Sequence, residues 1–203
     1  QIASLVLLLP LAALGDRLGY KRVYLWGMLV FGLASIMAAL APSLPWLIAA
    51  RALQGMGMAG ALSVNGALVR QIYPRGMLGQ GMALNSMVVA LSTVMGPVLA
   101  ALVLSQLNWR WLFSLHLPLA LWVCWLGMQS LPKPRQASDT RGLSWWDVGL
   151  NVVMFGSIFL ALDRVSHSQG GQGLQWAALW FGIGLIAGVF YVRRQKRETQ
   201  PML

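Results

Sequence analysis

Residues 15–22 read Gly-Asp-Arg-Leu-Gly-Tyr-Lys-Arg and carry four formal charges between two stretches that have none. Residues 1–14 before them and residues 23–50 after them contain no Asp, Glu, Lys or Arg. An uncharged run of about 20 residues is long enough to cross a hydrocarbon core about 30 Å thick as a helix. A short basic segment between two such runs indicates a hairpin of membrane-spanning helices.

The rest of the chain repeats this pattern. Of its 203 residues, 58% are hydrophobic and only 10% are charged, whereas soluble domains contain about 25% charged residues. This composition excludes an ordinary soluble domain and predicts an all-α, polytopic membrane helical bundle. We predict a partial span at 1–14 and complete spans at 23–42, 46–68, 80–104, 111–131, 147–162 and 175–192.

The net charge of +10 would suggest nucleic-acid binding in a soluble protein, but its distribution along the chain indicates membrane topology instead. Three Lys or Arg residues lie outside the basic loops given at the end of this paragraph: Arg110 and Arg164 lie in loops on the other side of the membrane, and Arg51 lies within a span. Excess Lys and Arg mark cytoplasmic loops, so we expect a multi-pass protein of the bacterial inner membrane that contacts lipid and no nucleic acid. Twelve of the fifteen Lys and Arg residues lie in alternate loops, at 15–22, 70–79, 132–146 and 193–203.

A polar stretch rich in Pro, Lys and Arg divides the chain. We predict a helical bundle at 1–131, a cytoplasmic linker at 132–146, and a helical hairpin with a basic cytoplasmic exit at 147–203. The single Cys124 lies in an apolar span, so we expect a small buried hydrophobe and no disulfide within the chain. Because no dinucleotide loop, metal-ligand cluster or hydrolase triad is recognisable, we predict neither a metal site nor an enzyme.

Arg51 is the sharpest candidate for a functional residue. A charged side chain inside a membrane costs at least about 2.5 kcal/mol, so it should face protein or water. Gln54, Gly55 and Asn65 follow Arg51 at helical spacing, which predicts one polar face directed toward the interior of the bundle. The alternative is that Arg51 extends along its helix to the nearby outer surface.

The next two spans also contain polar or helix-distorting residues. Pro97, which follows Gly96, removes a backbone hydrogen bond and predicts a kink, and Ser92 lies about one turn earlier. The kink would serve either tight helix packing or contact between the moving halves of a transporter. Asn85 either lines a cavity or forms an interhelical hydrogen bond. His116 is a candidate for a proton relay, against the simpler interpretation of a donor that packs between helices.

Four segments in order resemble motifs of the major facilitator superfamily, in the fourteen-helix drug:proton antiporter (EmrB/QacA) branch. Three positions depart from the usual pattern: Ala12 replaces a Gly, Tyr20 replaces a basic residue, and His116 replaces an Asn. The glycines that usually flank the Gly-Pro pair are also absent. The four segments are residues 14–22, residues 47–59, Gly96-Pro97, and Trp109-Arg110-Trp111-Leu112-Phe113 followed by Pro118.

The resemblance implies roles for these residues. In the superfamily, the charged loop acts as a conformational switch, the fourth-helix arginine takes part in proton coupling, and the Gly-Pro motif is associated with exporters. The switch loop would comprise Gly15, Asp16, Arg17, Gly19, Lys21 and Arg22; the coupling and cavity group Arg51, Gln54, Gly55, Asn65 and Asn85; and the kink motif Ser92, Gly96 and Pro97.

By this resemblance the chain covers helices 2 to 8 and lacks helix one and the C-terminal bundle. The implied function is export of lipophilic drugs or toxic compounds by alternating access. No cofactor would be needed, because the proton motive force would drive transport. The ligands would be protons and a small lipophilic substrate, and a periplasmic adaptor is a candidate partner. Two alternatives stay open: an exporter of another small metabolite, and a truncated membrane module that does not transport.

Overall fold

The computed structural model describes residues 2–132, 145–167 and 171–195, and every regular element in this part of the chain is helical. The predicted all-α class is therefore confirmed. The elements are α1 (Ile2–Leu18), α2 (Tyr20–Ala39), α3 (Leu44–Ile72), a 3-10 turn (Arg75–Met77), α4 (Leu78–Gln106), α5 (Arg110–Ser114), α6 (His116–Ser130), α7 (Trp145–His167) and α8 (Gly171–Gln195).

Helix length and composition support membrane crossing for five of the six complete spans that the sequence predicts. The exception is the span at 147–162, where the apolar part of α7 is a shorter helix, Gly149–Leu162. The buried Asn151 and Ser157 lie in this part of α7 and lower its hydropathy. Helices of sufficient length and hydropathy lie at Tyr20–Ala39, Leu44–Ile72, Arg75–Gln106, Arg110–Ser130 and Gln175–Arg193.

The charged segment 15–22, which the sequence suggested to be a short loop, is mostly helical. Residues 15–18 continue α1 and Tyr20 begins α2, so Gly19 alone connects the two helices. Gly19 has φ 93°, its N–H donates to the carbonyl of Gly15 at 2.9 Å, and its own carbonyl accepts from Arg22 N at 3.1 Å. A positive φ costs glycine little, which allows the chain to reverse within one residue.

Replacing Gly19 by alanine should destabilise the protein by about 1–3 kcal/mol, because only glycine adopts this backbone conformation without strain. Gly76 provides the control, since it has no positive φ and a Cβ there would meet no atom within 4 Å. Thermal unfolding of both alanine variants in detergent measures the difference. An equal effect of the two substitutions would show that the turn tolerates a side chain.

The predicted span 111–131 is interrupted at Leu115, where α5 ends and α6 begins. Pro118 explains the break, because it has no N–H to donate to the carbonyl of Ser114 four residues earlier, and its ring crowds that turn. The break directly follows the part of α5 that contains Phe113, whose ring lies against Arg51 in the site described below.

Helix α3 lies at the centre of the described structure and packs mainly against α2, then against α1. The contact between α2 and α3 is a glycine seam formed by Gly27, Gly57 and Gly60. A Cβ built on Gly57 would lie 2.5 Å from the backbone nitrogen of Phe31 and 2.7 Å from the carbonyl oxygen of Gly27. The two backbones thus touch without intervening side chains, as small residues permit in membrane bundles.

The remaining helices surround this pair. Helix α6 packs on α2, α8 packs on α7, and α7 also contacts α1. Helix α4 touches the other described helices at few points, and its most apolar 18-residue stretch is not buried. The predicted linker falls mostly on 133–144 and the basic exit on 196–203, both of which lie outside the described residues.

Candidate functional site

Asp16 and Tyr20 form the polar contact at the turn between α1 and α2. The Tyr20 hydroxyl donates a hydrogen bond to Oδ1 of Asp16, one helical turn earlier in the sequence. Tyr20 occupies the position where the resembling family has a basic residue, so a neutral phenol contacts the carboxylate here. Gly15 lies beside Asp16 and packs closely on α3, where a Cβ would approach Val64 Cγ1 to 2.6 Å. The predicted role of this loop as a conformational switch stays a prediction.

Lys21 connects the same turn to the far end of α6. Its Nζ donates to the carbonyl oxygens of Met128 at 2.7 Å and Leu131 at 2.8 Å. These carbonyls belong to the last turn of α6, where no intrahelical N–H remains to bond them. A cation at a helix C-terminus is also favoured by the helix dipole. Lys21 therefore caps α6, a role that sequence spacing could not reveal, because the partners lie more than 100 residues away.

Replacing Lys21 by methionine should loosen the end of α6 and cost about 1–3 kcal/mol, since charged hydrogen bonds to two carbonyls are lost. The expected result is faster hydrogen exchange of the amides at 128–132. An Arg75→Met variant removes an exposed charge from the 3-10 turn Arg75–Met77 and should leave this exchange unchanged. Unaltered exchange in the Lys21 variant would contradict the capping role.

A chain of hydrogen bonds runs from α3 to α2 inside the membrane. Arg51 Nη1 donates to Oε1 of Gln54 at 3.2 Å, and Gln54 Nε2 donates to Oγ of Ser35 at 2.8 Å. Ser35 Oγ in turn donates to the carbonyl of Phe31 at 2.7 Å. Gln54 and Ser35 are buried, whereas Arg51 is exposed. A buried polar chain with every member paired holds its groups in one arrangement.

Two aromatic contacts complete the surroundings of Arg51. The guanidinium carbon lies 4.6 Å from the centroid of the Phe113 ring, a cation–π distance. His116 packs edge-to-face against Phe31, with ring centroids 5.4 Å apart. This contact agrees with the packing interpretation of His116, and the relay stays a prediction. Sequence reasoning missed Ser35 and Phe113, although Ser35 is a lone hydroxyl in the middle of an apolar span.

Asn65 and Asn85 join α3 to α4. Asn65 Nδ2 donates to Oδ1 of Asn85 at 2.9 Å, and both side chains are half-buried. Of the two interpretations of Asn85, the structure shows the interhelical hydrogen bond. Gln54 and Asn65 lie on nearly the same line of α3, about 16 Å apart. This line therefore contacts α2 near the C-terminal end of α2, at Ser35, and α4 near the N-terminal end of α4, at Asn85.

The other predicted site residues lie apart from this cluster. Gly55 is half-buried beside Gln54. Ser92, Gly96 and Pro97 are exposed on α4, where Ser92 Oγ donates to the carbonyl of Val88 at 2.7 Å and a Cβ on Gly96 would meet no atom within 4 Å. No group of His, Cys, Asp and Glu side chains suited to a metal occurs among the described residues.

Comparison with known proteins places this architecture in a family. The family model of the Major Facilitator Superfamily matches residues 1–194. The chain is 38% identical to the uncharacterized transporter YebQ of Escherichia coli, over all of this chain and 44% of that protein. It is 32% identical to the methylenomycin A resistance protein of Streptomyces coelicolor, over 97% of this chain and 41% of that protein.

A further relative is the multidrug efflux pump LfrA of Mycolicibacterium smegmatis, at 29% identity over all of this chain and 40% of that protein. The chain thus spans less than half the length of these curated relatives. The family match extends over nearly every described helix, from α1 through most of α8. The chain belongs to the major facilitator superfamily of membrane transporters.

Proposed function

We propose that this transporter exports lipophilic compounds across the bacterial inner membrane in exchange for protons. The similarity to a multidrug efflux pump and to a methylenomycin A resistance protein supports export of such compounds. Alternating access would carry the substrate outward while protons move inward down their gradient. No covalent bond is made or broken in this cycle, so the protein moves its substrate unchanged.

The observation that carries the proposal is the position of Arg51. Its guanidinium is fixed by Gln54 on one side and Phe113 on the other, yet it stays exposed within an apolar span. Residues 1–132 contain one carboxylate side chain, Asp16, and it contacts Tyr20 at the turn between α1 and α2. Arg51 is thus free to approach an acid elsewhere in the transporter, where its charge would lower the pKa of that acid and promote proton release.

The exposed surfaces of α3 and α4 support a lipophilic substrate. Both helices present methionine side chains, which are flexible and polarisable and adapt to apolar ligands of different shape. Such side chains suit a transporter that accepts many compounds better than one that recognises a single polar metabolite. The exposed residues are Met58 on α3 and Met82, Met87 and Met95 on α4.

Transport by the full-length protein in inverted membrane vesicles tests the proposal. With an acidic lumen, ethidium should accumulate inside the vesicles and alkalinise the lumen, and a protonophore should abolish both signals. Accumulation that persists without a proton gradient would overturn proton coupling. Transport of a polar metabolite without any dye would overturn the substrate class, and no transport of either would favour a non-transporting module.

A further inference from the structure

A long apolar groove separates α1 from α2 and is floored by α3. It encloses about 720 Å³. Both α1 and α2 pack far more on α3 than on each other, which leaves the groove between them, and Gly57 and Gly60 of α3 line its floor. One wall is a leucine stripe of α1 at helical spacing, formed by Leu7, Leu11, Leu14 and Leu18.

The groove has the depth of one membrane leaflet. Leu7 and Leu18 are eleven residues apart, which corresponds to about 16 Å along a helix. Half of a hydrocarbon core is about 15 Å thick. Because Leu18 adjoins the basic turn that the charge distribution places on the cytoplasmic side, the groove extends from the cytoplasmic surface to near the middle of the bilayer.

Arg22 lies at the surface end of the groove and lines it. Two neighbouring charged side chains already have partners: Lys21 caps α6, and Asp16 accepts a hydrogen bond from Tyr20. The Arg22 side chain is exposed, and its guanidinium has no hydrogen-bond or ion-pair partner within residues 2–132, 145–167 and 171–195. An arginine at this depth is a natural partner for a phosphate group.

Trp26 lies one turn deeper than Arg22 on the same wall, with 69% of its surface exposed. Tryptophan at this depth is typical of the boundary between headgroups and acyl chains. The groove thus presents, in order from the surface, a cation without a partner among the described residues, an interfacial indole and an apolar channel as deep as one leaflet. This order matches the headgroup, glycerol region and acyl chain of a phospholipid.

We propose that this groove binds an anionic phospholipid of the cytoplasmic leaflet, with one acyl chain between α1 and α2 and the headgroup phosphate on Arg22. A net negative lipid complements the exposed Arg22 charge, whereas a zwitterionic lipid brings a cation of its own beside this basic turn. Attraction of anionic lipid by one arginine near the surface corresponds to about a fivefold preference.

The experiment uses the full-length protein in phosphatidylcholine vesicles that contain phosphatidylglycerol with a photoreactive diazirine on its acyl chain. Crosslinked peptides are mapped by mass spectrometry. We expect labelling of the α1 and α2 segments within residues 7–30. Arg22→Gln should reduce this labelling about fivefold, while Arg75→Gln, which removes an exposed charge outside the groove, should not change it.

A second variant tests the acyl-chain channel separately. Leu11→Trp should fill the middle of the groove and remove the labelling of both segments, even where Arg22 is intact. Equal labelling by a diazirine phosphatidylcholine, or no loss in Arg22→Gln, would overturn the anionic headgroup site. Labelling confined to other helices, or displacement of the label by ethidium at transported concentrations, would overturn the assignment of the groove to lipid.

Discussion

Replacing Gly57 by valine is expected to separate α2 from α3 and to destabilise the protein by roughly 3 kcal/mol or more. The Cβ alone would lie within 2.7 Å of backbone atoms of Phe31 and Gly27, and backbone cannot rotate away as a side chain does. The free energy of unfolding of a whole domain is only about 5–15 kcal/mol, so a loss of this size removes a large part of the stability of the protein. Cys124 reports the loss, because it is 5% exposed and lies on α6 against α2.

The measurement is the rate at which a thiol reagent labels Cys124 during heating in detergent, read on the peptide by mass spectrometry. Gly66→Val is the matched control, since Gly66 lies on the same helix and a Cβ there would meet nothing within 4 Å. Glycine and valine differ little in helix propensity, so this control should unfold near the wild-type temperature. Similar labelling of both variants would show that the seam tolerates side chains.

Substitution of Arg51 by glutamine should reduce proton-driven efflux at least about tenfold while the protein remains in the membrane. A tenfold loss corresponds to about 1.4 kcal/mol, which is modest for a charged group that promotes proton release. Glutamine is able to hydrogen-bond but has no charge and no cation–π contact with Phe113. Arg51→Lys should retain part of the activity, because lysine keeps the charge but not the planar geometry that contacts Gln54 and Phe113 together.

Arg110→Gln provides the control for this substitution. Arg110 also lies over an aromatic ring, 5.3 Å from Trp109, but at the outer end of its helix. Efflux and lumenal pH are followed together in inverted vesicles at equal protein content. Normal coupling of efflux to proton movement in Arg51→Gln would show that Arg51 has no role in proton coupling, even if dye export itself were confirmed. A comparable loss in Arg110→Gln would indicate a general requirement for outer arginines rather than a specific coupling site.

The sequence predicted the membrane bundle well, since helix-length apolar runs and loop charge leave few alternatives. It predicted the ends of the helices less well. The Gly19 turn looked like a loop because its charges suggest solvent, yet side chains extend into water from helices as readily as from loops. The break at Leu115 was also missed, since hydropathy does not register the geometric effect of Pro118.

The sequence identified the residues of the candidate site on α3, but it did not identify the residues on other helices that contact them. Arg51 and Gln54 share a face because helical periodicity is reliable over one turn. Their further partners Ser35 and Phe113 come from two other helices, and no local pattern relates them. The same limit applied to Lys21, whose long-range acceptors are ordinary backbone carbonyls without any sequence signal.

The glycine seam also affects how the chain is assembled during synthesis. Helices α2 and α3 are consecutive and are joined by residues 40–43, so their ends meet at little entropic cost. Their contact needs no later part of the chain, whereas the packing of α6 on α2 must await the synthesis of His116–Ser130. The α2–α3 contact is thus able to form after insertion into the bilayer before α6 has been synthesised, and α6 then packs on an α2 that is already held in place by α3.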